Sequence, residues 1–351
     1  MAVNSVSSST LATVLQNTVS RLQSQMSTVS KEESTGLLAD IGLSLGAGSG
    51  RDISLHQQYA DLTSLTSSNS VVTTQLDTAY TAATTLQQSA SSVLKQVITG
   101  LSSTPSSSGS AALQKVAAGA LSSFVASANS EVAGVYVFGG INTGNAAIKS
   151  TAASSTGPAQ TAVQTAFNAY LSANSLSVNT ISDTQMTTFL TGTSFTSLFS
   201  GSSWTSNWSD ANSTPLTNRI SLNLTETTSV TANDQSFQTM AQGLTMVSVF
   251  ANQNLNSGAY SAMLTQAQKV MTDANNQFTE TAATIGTMQS AVKQANSGIT
   301  LQQNVLNTQL NANEAINDYD VASQVSALST QLQVAYSLTS QIHKLSLVNF
   351  L

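Results

Sequence analysis

Apolar residues recur along both ends of the chain with the spacing of a coiled-coil seam. Near the N-terminus Leu11, Leu15, Val19, Leu22, Met26 and Val29 follow at steps of 4, 4, 3, 4 and 3, until Gly36 interrupts the pattern. Near the C-terminus Val321, Val325, Leu328, Leu332, Ala335, Leu338, Ile342 and Leu345 keep nearly the same alternation. Steps of three and four put such residues on one narrow stripe of an α-helix. A lone helix is marginal in water, so neither stripe can stabilise its own element. The two terminal helices are therefore expected to pair with each other. The expected assembly interface is the pair of seams: Leu11 to Val29 as named, with Val321, Val325, Leu328, Leu332, Ile342 and Leu345. Their polar, weakly charged outer faces suit subunits packed side by side in a tube.

Inward from the seams the pattern stays helical. It predicts one long helix over Leu62–Ile98, with Leu62, Leu65, Leu76, Leu86, Val93 and Val97 among its apolar positions. The breaker-rich run Gly100–Ser110 (GLSSTPSSSGS) predicts a turn. Further helices are predicted over Ala111–Ala133, Gln235–Val249 and Ser261–Leu310, the last running through Gly286 and Gly298. From Ile141 to Leu216 the chain is rich in Gly, Ser, Thr and Asn, with only Lys149, Asp183 and Asp210 charged. Tyr170, Phe189, Phe195, Phe199, Trp204 and Trp208 are the candidate core of that stretch. Alternation over Arg219–Leu224 (RISLNL), followed by Thr227–Thr231, predicts a β-hairpin.

The expected plan is nested and mainly α: a long antiparallel helical rod with paired terminal coiled-coil helices, a β-hairpin in the rod and a small inserted outer domain. Residues 1–35 and 311–351 would form the terminal assembly domain, 36–140 and 217–310 the rod, and 141–216 the insertion.

Composition removes several alternatives. Only 7% of the 351 residues are charged, against roughly a quarter in ordinary globular proteins. The net charge of −6 comes with no basic cluster, so nucleic acid is not an expected partner. No apolar run approaches the roughly 18–20 residues that cross a bilayer, so no membrane is expected either. Cysteine is absent, which removes disulfides and thiolate chemistry. The polar segment Met1–Thr10 lacks the basic-then-apolar order of a Sec signal peptide.

The same reading gives no catalytic residues, no cofactor and no metal site. The only histidines are His56 and His343, about 290 positions apart. His343 is expected at the edge of the C-terminal seam. Gly46, Gly48 and Gly50 resemble a phosphate loop but lack its Lys-Ser pair, and are expected to be a flexible turn. Asp318 and Asp320 are expected at a polar turn or helix break before the last heptads. No histidine or further acid near them completes a ligand set.

At this point the sequence resembles the flagellin superfamily, most of all its hook-associated protein 3 branch at the hook–filament junction. Gly134–Thr143 (GVYVFGGINT) looks like that branch's G-x-Y-x-F-x-G stretch, and Leu332–Leu351 (LQVAYSLTSQIHKLSLVNFL) is similar to its LSL-x-N-x-L ending. Asp318, Asp320 and Ala322 fit its D-x-D-x-A pattern, and Phe237 stands at its aromatic position. Ser34–Leu45 (STGLLADIGLSL) keeps only the first part of the stretch typical of filament flagellin. The resemblance implies a non-enzymatic, self-assembling subunit of the flagellar axis that supports motility. Its partners would be copies of itself, the neighbouring hook-associated protein and flagellin, and an export chaperone. Its location would be extracellular, reached without a Sec signal through the flagellar type III route. Two other readings stay open: filament flagellin, and a flagellin-like surface adhesin in which Trp204 and Trp208 stack on sugars.

Overall fold

The computed structural model describes the backbone of residues 8–348 and the side chains of residues 10–342. In chain order the helices are α1 (Ser8–Thr35), α2 (Ile41–Leu45), α3 (Ser49–Ser102), α4 (Ser107–Ala128), α5 (Pro158–Ala173) and α6 (Asp183–Thr191). They continue with α7 (Thr193–Thr196), α8 (Gly201–Asn207), α9 (Gln235–Phe250), α10 (Ser257–Glu314) and α11 (Asp318–Val348). Two small antiparallel hairpins join them: β1 (Glu131–Val132) with β2 (Val135–Tyr136), and β3 (Thr217–Ser221) with β4 (Leu224–Thr227). The fold is mainly α. The chain divides into two compact units, Met1–Leu62 with Thr300–Leu351, and Thr63–Ile299.

In the first unit α1 packs along α11. The pair is antiparallel: Gln23 donates to the Tyr336 hydroxyl at 2.8 Å, while Leu37 bridges Ala315 at the other end. At that end Leu38 N–H donates to the Glu314 carbonyl and Ile316 N–H to the Gly36 carbonyl. This short bridge fixes where α1 ends and α11 begins.

The second unit contains the larger core. Its parts of α3 and α10 run antiparallel in constant register, with Asp77 opposite Gln289, Gln87 opposite Thr279 and Ser91 opposite Asn275, each joined by a side-chain hydrogen bond. Side-chain amides and hydroxyls, with one carboxylate, therefore do here what charge pairs do on most helix surfaces. The many threonines are accommodated in a similar way. Thr73, Thr74, Thr78, Thr81 and Thr85 each donate to the carbonyl four residues back, which satisfies the hydroxyl within its own helix.

The centre of this unit is α9, of whose 16 residues 13 are buried, which makes it a core helix rather than a surface one. It has an aromatic ring near each end. Phe237 meets Phe124 of α4, Phe138 and Phe278 of α10, at centroid distances of 6.2, 5.0 and 5.2 Å. Phe250 meets Phe167, Phe189 and Phe195 of α5, α6 and α7, at 4.9, 6.0 and 6.2 Å. The Ser- and Gly-rich middle of the chain thus folds as short helices whose aromatic residues close over the end of α9.

Several expected boundaries move. Helix α3 begins 13 residues before Leu62 and takes in Gly50, while Gly46–Gly48 form one 3-10 turn. A glycine in the first turn of a helix costs little of what it costs in the interior, so the glycines do not keep α3 from starting there. Helix α4 ends at Ala128 rather than Ala133, because residues 131–136 form the first hairpin. The second hairpin turns at Leu222–Asn223, so Leu224 lies in β4 and not in the first strand as its alternation suggested. A bulge between Arg219 and Ser221 buries Ile220, whose carbonyl accepts from buried Asn69 at 2.8 Å.

Candidate assembly interface

The α1–α11 pair brings the two seams together. Leu22 and Val29 on α1, and Val321 and Ala335 on α11, are buried against the partner helix. Leu15, Val19, Met26, Val325, Leu328, Leu332 and Ile342 are only half-buried. Leu11 and Leu338 stay exposed, and Thr339 takes the inward position next to Leu338. The side chains of His343 and Leu345 lie outside the described residues. Beside the seam runs an open groove of about 370 Å³, lined by Ser24, Gln25, Thr28 and Val29 from α1 and Gln324, Ala327, Leu328 and Gln331 from α11. Val14, Val334 and Tyr336 add exposed apolar area to the pair. Two helices alone therefore leave much of this apolar surface in water. Full burial of one such side chain is worth about 1.5–3 kcal/mol, so the pair has a large gain still to make on further contacts.

Gly134–Thr143 has a structural role. Ala133 and Gly134 both have positive φ, 52° and 80°, and form the two-residue turn between β1 and β2. Such a turn matches strand twist only with left-handed residues. Phe138 is fully buried against Phe237. At Gly140, with φ of 60°, a Cβ would stand 2.2 Å from the Asn212 carbonyl oxygen, so only glycine fits. The motif thus anchors the entrance of the middle segment on α9. At the same neck Ile141 N–H donates to Thr214, and Lys149 N–H to Trp208.

The tryptophans do not form a sugar platform. Trp204 and Trp208 stack on each other at 5.6 Å and 11°, each only 1% exposed. The Trp204 indole donates to Asn233 Oδ1 at 2.9 Å, an acceptor shared with Ser209. Both rings are core.

Asp318 and Asp320 occupy the first turn of α11, where carboxylates face the positive end of the helix dipole. The three-residue break before them is the expected helix interruption. Asp234, the N-cap residue of α9, is exposed at its surface yet partly desolvated by the chain around it, which raises its carboxyl above the ordinary 3.8, against the lowering effect of hydrogen bonds from the Thr231 backbone and hydroxyl.

One polar cluster escaped the sequence reading. Asp52 and His56 stand one turn apart on α3, and the end of α10 brings Glu314 to them. His56 Nε2 lies 2.5 Å from Glu314 Oε1 and 3.7 Å from Asp52 Oδ2. Both carboxylates are buried, while the imidazole is half exposed. The i,i+4 spacing of Asp52 and His56 was a readable signal; Glu314, more than 250 positions away, gave none.

The model of the bacterial flagellin N-terminal helical region matches residues 6–143, and that of the bacterial flagellin C-terminal helical region matches residues 268–351. No curated protein matches the chain. Among solved structures, the chain is similar to a protein from Vibrio parahaemolyticus provisionally named a flagellar hook-associated protein. The TM-score is 0.55 at 12% identity, over 76% of this chain and 97% of that one, a likeness of fold.

Proposed function

The chain belongs to the bacterial flagellin family, structural proteins of the extracellular flagellum, and from that premise we propose that it is the subunit joining hook to filament. The observation that carries the assembly part is the incompletely buried seam of the α1–α11 pair, with Leu328 and Val29 opening onto a groove. In the proposed assembly, copies of the chain lay their α1–α11 pairs side by side, and the half-buried seam residues complete their burial there. The junction assignment draws support from the fold shared with the hook-associated neighbour, and from the hook-associated resemblance of Gly134–Thr143. Hook-associated protein on one side and flagellin on the other are the proposed partners. Passage through the flagellar type III route, with a chaperone covering the terminal seams, is part of the same reading. No helix among the described residues is long and apolar enough to cross a membrane.

Filament flagellin is the second reading, favoured by the two family matches themselves, which carry flagellin names. Deletion of the gene decides between them. Loss of a junction subunit leaves bare hooks under the electron microscope and flagellin free in the medium. Bare hooks with no flagellin in the medium would overturn the junction assignment and leave the filament one.

A further inference from the structure

We infer that Asp52, His56 and Glu314 form a binding site for a zinc-like divalent cation that ties the start of α3 to the end of α10. The inference is independent of whether the subunit serves junction or filament. Electrostatics gives the first reason. The Asp52 and Glu314 side chains are 3% and 8% exposed, and among the described residues no Lys or Arg pairs with either. Two carboxylates withdrawn from water are costly unless a positive charge compensates them. A divalent ion compensates both at once, whereas His56 offers at most one charge.

Geometry gives the second reason. One ligand atom from each residue lies within 4.8 Å of the other two. Tetrahedral zinc with bonds of roughly 2.0–2.1 Å needs donors about 3.3 Å apart. The separations of 2.5 and 3.7 Å bracket that spacing, so small side-chain rotations suffice. Asn313 donates to Asp52 Oδ1 at 3.2 Å, which orients the carboxylate and leaves Oδ2 turned toward His56. The His56 side chain is 54% exposed, which gives the ion a way in and water a fourth coordination position. An imidazole with two carboxylates favours zinc and its first-row neighbours over magnesium or calcium, which prefer oxygen alone.

The test is calorimetric titration of chelator-treated, full-length protein with zinc chloride, repeated in millimolar magnesium. One site per chain is expected, insensitive to magnesium. His56→Ala, a substitution at an exposed side chain, should weaken it more than about tenfold with helicity unchanged by circular dichroism. Asp52→Asn and Glu314→Gln should do the same, and His343→Ala should not. The thermal stabilisation by zinc should vanish in His56→Ala. No zinc site in the wild type, or a site that survives His56→Ala, would overturn the assignment and leave the three residues a hydrogen-bonded cluster only.

Discussion

Single residues in this chain matter most where the backbone has no room or a charge is partly stripped of water. Gly140→Ala combines a left-handed backbone with a collision at the Asn212 carbonyl. The conformation alone costs about 1–2 kcal/mol for a residue with a Cβ. The variant should lose at least about 2 kcal/mol, read as a lower urea midpoint. Asp234 acts through protons. Its raised folded value means that the folded state holds the proton more tightly than the unfolded chain. Stability therefore falls as pH rises from 3.8 through that folded value. Asp234→Asn should remove this dependence: equal to the wild type at low pH, and more stable than it above the window, in urea titrations across pH. Equal stability of the two proteins at neutral pH would contradict the desolvation argument. The sequence marked Gly140 as the last glycine of its motif but not the reason for it, which is the Asn212 carbonyl more than 70 positions away. Asp234 gave no signal, because its partial desolvation comes only from the folded surroundings of the α9 N-terminus.

At the scale of elements, the terminal seams were the most legible feature. A stripe repeated over several heptads is a solvent-sided pattern, visible without tertiary knowledge. The second hairpin was legible in kind but not in register. Ile220, Leu222 and Leu224 alternate smoothly, yet the turn falls at Leu222, leaving it and Leu224 exposed. The short helices α5 to α8 were not legible at all. They are short, 16 residues at most, and α6 to α8 are rich in Thr and Ser, so burial of Phe167, Phe189 and Phe195 against Phe250 stabilises them more than their own helicity does. The seam yields a direct expectation. Leu328→Asp places a charge where assembly would desolvate it, at a cost of several kcal/mol. Polymer formation, followed by sedimentation, should be lost, while the unfolding of the Thr63–Ile299 unit should not change. Ser202→Asp, at an exposed site on α8, should assemble normally.

For the molecule as a whole, the neck at residues 141–149 and 208–214 suggests how separable the middle segment is. Its two strands lie within hydrogen-bonding distance, so removal of residues 146–214 with a short joining loop leaves the chain ends close. Assembly through the terminal helices should survive. The trimmed protein should nevertheless melt earlier, since Phe250 loses all three of its aromatic neighbours, and Phe250→Gln in that background should reduce its aggregation. Failure of the trimmed protein to assemble would assign the segment an essential contact. The hydrogen-bonded pairs that hold α3 against α10, none of them an ion pair, have one more consequence. Among the described residues, ion pairs involve only His56 with its two carboxylates and Lys149 with Asp210. Dissolved electrolyte weakens exposed charge pairs over a Debye length of about 8 Å at physiological strength, and this surface offers it little to weaken. The melting temperature should shift by no more than about 2 °C between dilute buffer and the ionic strength of seawater. A subunit built this way would owe almost none of its stability to whether the water around it is fresh or salt.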